Sequence, residues 1–184
     1  MAEAFRFPVL ASPRLLLRQP ARTDVDEVLR IFSDPEVLRY YNVDQMTTRE
    51  EALAMIEGRR RRYEMGYGIR WGIYLRENDR YIGSCGFEVL HKPWHYAEIG
   101  YELARTYWKH GYMTEALTTM IEYGFEHLDL NRVEAQVEPP NVASKAVLLR
   151  IGFKEEGVAR ARGFWNGQFH DLAQFGLLKE EFGA

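Results

Sequence analysis

Between Ala97 and Leu128 the hydrophobic period of the chain changes once, and a glycine sits at the change. Ala97-Glu98-Ile99-Gly100-Tyr101-Glu102-Leu103 alternates as a strand does. From about Thr114 to Leu128 the apolar positions Leu117, Met120, Ile121, Phe125 and Leu128 follow helical spacing. Gly111 lies between the two, in Trp108-Lys109-His110-Gly111-Tyr112-Met113-Thr114-Glu115-Ala116. A glycine there lets backbone come close to a ligand, because no side chain intervenes. The free N–H groups of the following helix end, reinforced by the helix dipole, then favour an anion. Thr114 adds a hydroxyl in the first turn. Alone, such a glycine is more often a plain turn.

The remaining elements fall around this unit. Leu15-Leu16-Leu17-Arg18 reads as a first strand. Thr23 precedes an acidic helix start whose inner face is Val28, Leu29 and Phe32. Thr48-Arg49-Glu50-Glu51 has capping-box spacing and predicts a second helix through Arg62. The run Arg59–Arg62 on that helix reads as a solvated face. Trp71–Leu75 and Tyr81–Phe87 flank Glu77-Asn78-Asp79 as a hairpin. Arg132–Glu138 alternates as a strand. A short helix runs from Asn141 to Ile151 and stops at Gly152, and two last strands are expected near Val158–Trp165 and Leu172–Leu178. The order is strand, two helices, three strands, helix, strand, helix, strands, which predicts a single mixed α/β domain. At 184 residues the chain is long enough to bury a sizeable core.

Composition excludes several classes. The formal net charge of −3 argues against a general nucleic-acid binder. No apolar run approaches the ~20 residues of a membrane span, and the opening MAEAFRFPVLASPR lacks the basic start and long apolar core of a signal peptide. Cys85 is the single cysteine, so no disulfide can form within the chain, and a cytoplasmic setting is expected. Flanked by Gly83 and Gly86, it reads as a buried strand residue. His91 and His95 are separated by Pro93, which denies them a regular helical face, and no metal site is expected.

A second segment carries chemistry. Asn141, Ser144 and Leu148 are three and four residues apart and share one helix face. Asn141 there serves as an N-cap, or as a partner for an amide-bearing ligand.

Taken together, these stretches resemble the GNAT superfamily of N-acetyltransferases, most closely its branch of ribosomal-protein alanine N-acetyltransferases. Ser12–Arg18 with Asp34-Pro35-Glu36-Val37, Ala97–Tyr101 through Trp108–Leu117, and Asn141–Ser144 through Gly152-Phe153 carry the resemblance, in the family's order over nearly the whole chain. It implies a splayed, mixed, mostly antiparallel sheet with acetyl-CoA held in the splay. Backbone from Lys109, His110, Gly111, Tyr112, Met113 and Thr114 would hold the pyrophosphate. The strand edge near Tyr101 and Leu103 would pair with the pantetheine arm like an added strand, and Asn141 would bond its amide. Met113 stands where the family's loop usually has glycine or alanine, and Leu148 stands where many members carry a tyrosine that protonates the leaving thiolate.

An amine attacks a thioester only when neutral, so a carboxylate base is expected. Glu98 and Glu102 alternate onto the same side of their strand, and Glu98 ranks first because it aligns with the strand glutamate that serves as base in some members. Ser144 is the remaining donor for the thiolate. The implied acceptor is a primary amine: the N-terminal amine of a ribosomal protein, or a small amine. A homodimer is implied by the branch. His170-Asp171, Trp94, Trp165 and Phe164 are further candidates to face the acceptor. The alternative is a non-catalytic acyl-CoA-binding or sensor domain of the same fold. A different phosphate-binding α/β domain is disfavoured, because the chain lacks G-x-x-x-x-G-K-S/T and a full G-x-G-x-x-G.

Overall fold

A computed structural model describes residues 7–183. Met1–Arg6, the start of the opening segment that lacks a signal-peptide pattern, lie outside them. The strands are β1 (Leu10–Ala11), β2 (Leu15–Arg18), β3 (Ile69–Leu75), β4 (Tyr81–His91), β5 (Tyr96–Leu103), β6 (Arg132–Val137), β7 (Lys154–Trp165) and β8 (Gln168–Leu178). The helices are α1 (Val25–Phe32), α2 (Pro35–Leu38), α3 (Arg49–Glu64), α4 (Tyr112–His127) and α5 (Val142–Ile151). The strands form one eight-stranded sheet in the order β1-β2-β3-β4-β5-β6-β8-β7. Among the described residues no helix is long and apolar enough to cross a membrane.

The sheet is covered on both faces, which explains β3: all seven of its residues are buried. On one face α4 supplies Ala116, Leu117, Met120 and Ile121 to a core shared with Trp71, Phe87, Val133 and Phe175. On the other, Val28, Phe32 and Ile56 of α1 and α3 pack on Tyr74 and Tyr81. Burying a large apolar side chain contributes about 1.5–3 kcal/mol, so these two layers fix the sheet between them. The Thr48–Glu51 capping box is present in both directions and starts α3 where its spacing predicts.

All neighbouring strands are antiparallel except β5 and β6, which are parallel and joined by α4, as a parallel pair requires a crossover. Their pairing lasts three residues, Tyr96↔Arg132 to Glu98↔Glu134. Beyond Glu98, β5 stays paired with β4 out to Leu103, while β6 stays with β8 out to Val137. The sheet therefore opens between Ile99–Leu103 and Ala135–Val137, and one edge of β5 faces the gap.

Several boundaries differ from the sequence reading: β3 starts at Ile69 rather than Trp71, β4 runs to His91 rather than Phe87, and α3 runs to Glu64 rather than Arg62. The helix expected from about Thr114 begins at Tyr112, with Gly111 as N-cap. The last hairpin is longer at its ends, Lys154–Trp165 and Gln168–Leu178. Its polar, exposed residues carry no apolar alternation, because β7 is the sheet's outer strand. The short β1 and α2 offer too few residues for a period.

Candidate active site

Two cavities meet in the opening of the sheet. One, of about 720 Å³, lies between the β5 edge, the turn before α4 and the start of α5. The other, of about 500 Å³, lies between β5, β6 and α3. Tyr40, Tyr41, Tyr101, Asn141 and Ser144 line both and form the passage between them.

The larger cavity ends on the turn before α4. Gly111 has φ +78° and Lys109 has φ +65°, two left-handed residues flanking His110. The first bond of the helix runs from the Glu115 N–H to the Gly111 carbonyl at 3.1 Å. The N–H groups of Tyr112, Met113 and Thr114 thus stand outside the helical ladder, as at any helix start. Arg14 braces the turn from the other side. Its Nη1 donates to the His110 carbonyl at 3.0 Å, and its Nε donates to Glu115 Oε2 at 2.6 Å. Lys109, Arg39 and Arg150 line the cavity and outnumber its acids, Glu36 and Glu102. A cationic wall, a left-handed turn and a free helix end together fit a phosphorylated carrier. His110 does not line this cavity; its ring stacks on Tyr112.

Asn141 and Ser144 stand at the passage. Asn141 Oδ1 accepts from the Ser144 N–H at 3.1 Å and caps α5. The Ser144 hydroxyl shares a short hydrogen bond with the Tyr101 hydroxyl. Burial pushes the Tyr101 phenol up to about 12, with the Ser144 bond opposing, so Tyr101 keeps its proton. The reading of β5 as a backbone edge overlooked this side chain. Leu148 is fully buried in the core, away from either cavity.

Glu98 lines the smaller cavity. Its carboxyl is raised above the ordinary value by burial, then by the charge of Glu134, with Arg162 opposing. Glu102 is placed differently, although it lies on the same side of β5. Its side chain is 1 % exposed and ion-paired with Arg70, with Arg59 at 3.6 Å. The Ser84 hydroxyl donates to one of its oxygens and the Tyr41 hydroxyl, at 3.1 Å, to the other. Burial pushes its carboxyl up, but Arg70 and Arg59 outweigh this and hold it below the usual range. Both oxygens are occupied, so Glu102 is not free to take a proton, against the expectation that it could act as a base. Gly100, between the two glutamates, leaves room for this network: a Cβ there would lie 2.9 Å from Arg70 Nη1.

Arg59 is likewise not on a solvated face, because it turns inward to Glu102 and donates to Ser84 at 3.2 Å. Trp165 lines the smaller cavity, whereas Trp94 and Phe164 are exposed outside it. Cys85 is buried and its thiol is pushed up to about 12 by that burial, in keeping with a structural residue.

A mixed sheet parted beside a glycine-capped helix is the architecture of the acyl-CoA N-acyltransferase type. The chain belongs to the family described as the acetyltransferase (GNAT) domain, which matches residues 14–154. It is 38% identical over 173 residues to the uncharacterized N-acetyltransferase YoaA of Bacillus subtilis, covering 94% of this chain and 98% of that protein. It is 29% identical over 110 residues to the ribosomal protein uS5-alanine N-acetyltransferase of Escherichia coli, covering 59% and 57% of the two chains. The fold superposes on Mycobacterium smegmatis RimJ in complex with CoA-disulfide with a TM-score of 0.85 at 24% identity, over 97% of this chain and 89% of that one.

Proposed function

We propose that the protein transfers an acetyl group from acetyl-CoA to a primary amine. The observation that carries this reading is the passage of Tyr101, Asn141 and Ser144 joining a cation-lined cavity to one that holds the perturbed carboxyl of Glu98. In this reading the N–H groups of Tyr112, Met113 and Thr114, with Lys109, hold the pyrophosphate, while the β5 edge near Tyr101 and Leu103, with Asn141, holds the pantetheine arm. Bound acetyl-CoA supplies an activated thioester, whose carbonyl oxygen gains charge and whose sulfur leaves as the amide forms.

The chain's own groups do the rest. Glu98 takes the proton that the attacking ammonium must lose, directly or through water; its raised carboxyl lies closer to neutrality than an ordinary glutamate, as suits a base. A backbone N–H at the end of β5 donates to the carbonyl oxygen as charge develops there. The Tyr101–Ser144 pair donates to the departing sulfur in the place where Leu148 offers nothing. Glu102 has a structural part, holding Arg70 and Arg59 in the cavity floor. The acceptor is a chain-end amine, as in the E. coli relative, or a small amine. The reading also carries a cytoplasmic setting and a homodimer.

Thiol release from acetyl-CoA across a panel of amines and N-terminal peptides tests it. Glu98→Gln and Ser144→Ala are each expected to cut turnover more than acetyl-CoA affinity. Full turnover in both variants contradicts the assigned roles. Acetyl-CoA binding with no turnover on any amine favours a sensor domain instead.

A further inference from the structure

The smaller cavity holds more carboxylate than the proposed reaction uses. Arg70 is answered by Glu88 and Glu102, and Arg59 by Glu102. Glu98 is spent on the reacting nitrogen. Glu138 remains, on the β6 side of the opening. Its backbone is pinned by the two prolines that follow, Pro139 and Pro140, and its carbonyl accepts from the Asn141 N–H at 2.9 Å. Its side chain is 12 % exposed. One oxygen, Oε2, accepts a hydrogen bond from His170 Nδ1 at 3.1 Å. The other, Oε1, is shielded from solvent and has no hydrogen-bond partner among the described residues.

His170 is held firmly in turn. Its ring stacks on Trp165 at 3.9 Å and 5°, and Nε2 lies 3.3 Å from the Trp165 carbonyl. Trp165 lines the same cavity. A buried carboxylate oxygen without a donor is unfavourable and demands an explanation. Here the carboxylate of a residue that lines the cavity is oriented by a stacked histidine, and one of its oxygens is left without a donor.

We propose that Glu138, oriented by His170, is an acceptor-binding residue, and that it receives a protonated nitrogen of the substrate other than the one acetylated. The inference rests on the amine-acetyltransferase reading and narrows it to cationic small amines with a second nitrogen. The reacting nitrogen must be neutral with its lone pair free, and Glu98 serves it. A second carboxylate across the opening is complementary to a separate cation, since a charge-assisted ammonium–carboxylate bond is stronger than one from a neutral donor. The tryptophan beside it suits the same charge.

Calorimetry on CoA-saturated protein separates this from the parent reading, because it needs no turnover. A four-carbon diamine is expected to bind about tenfold more tightly than butylamine, and Glu138→Gln to remove that margin while leaving butylamine and CoA binding unchanged. His170→Asn should weaken the diamine in the same direction, by loosening the carboxylate. An unchanged diamine preference in Glu138→Gln overturns the inference, as does alanine amide binding the wild type as tightly as the diamine. Diamine binding that depends on Glu138, with no acetylation of any amine, overturns the parent reading and the acceptor role with it, and leaves only a cation-binding carboxylate. Acetylation that is indifferent to Glu138 overturns this inference and leaves the parent reading standing.

Discussion

Glu102→Ala removes a buried carboxylate that faces two guanidiniums. Arg70 is 6 % exposed at its side chain and Arg59 13 %, so neither can turn to water without disturbing the cavity floor. Breaking a buried pair from one side typically costs about 3–5 kcal/mol. Arg70 keeps Glu88 and the Tyr41 hydroxyl, the latter at 2.9 Å, which places the loss near the lower end, about 3 kcal/mol. For a domain of this size that lowers the melting temperature by roughly 6–12 °C. Urea unfolding followed by fluorescence reads the loss as a lower midpoint at unchanged slope. The pH dependence adds a second check. Glu102 is held below the ordinary glutamate value of 4.5, so its contribution is present above 4.5 and is lost as pH falls through the lower folded value. The gap between wild type and variant should therefore narrow in acid. The double variant Arg70→Met, Glu102→Leu should recover much of the loss, because it leaves no lone charge behind on that pair. A variant as stable as wild type but without turnover would refute the argument and return Glu102 to the role of base.

Other outcomes follow from the same geometry. Because Glu98 must be ionised to take a proton and its carboxyl is raised partly by Glu134, Glu134→Gln should lower it and move the acid limb of the pH–rate profile to lower pH. Gly111→Ala forces a side chain into φ +78°, at a cost of about 1–2 kcal/mol, and acetyl-CoA affinity measured by calorimetry should fall while the amine KM changes little. Glu115→Gln weakens the brace that Arg14 gives the same turn, and acetyl-CoA KM should rise several-fold with kcat nearly kept. Leu148→Ala should destabilise the fold by about 2–5 kcal/mol in thermal unfolding, because Leu148 is fully buried.

The parts of the fold legible in the sequence are those with a period. Leu117, Met120, Ile121 and Phe125 mark α4, and the alternation of Arg132–Val137 marks β6, because each buries one face against the sheet. β1 is two residues and α2 four, too short to show any period. Local chemistry was legible in the same way. Gly111 and Asn141 occupy a helix cap and Ser144 a first helical turn, and caps are written in adjacent residues. The cavity floor was not, because its partners are remote in sequence: Tyr41 and Glu102 are 61 residues apart, and Glu138 and His170 are 32 apart. One clue was present for Arg70, a charge inside the otherwise apolar Ile69–Leu75. Arg59 stood within a run of four arginines, where nothing in the sequence distinguishes the one that turns inward.

The central claim is transfer of acetyl from acetyl-CoA to an amine nitrogen, and mass spectrometry of the reaction mixture tests it most directly. The account predicts that the acceptor amine gains one acetyl group for each CoA freed, and that Glu98→Gln slows both together. Acetyl-CoA that binds and stays intact beside every amine offered, or CoA freed with only acetate formed, would contradict it.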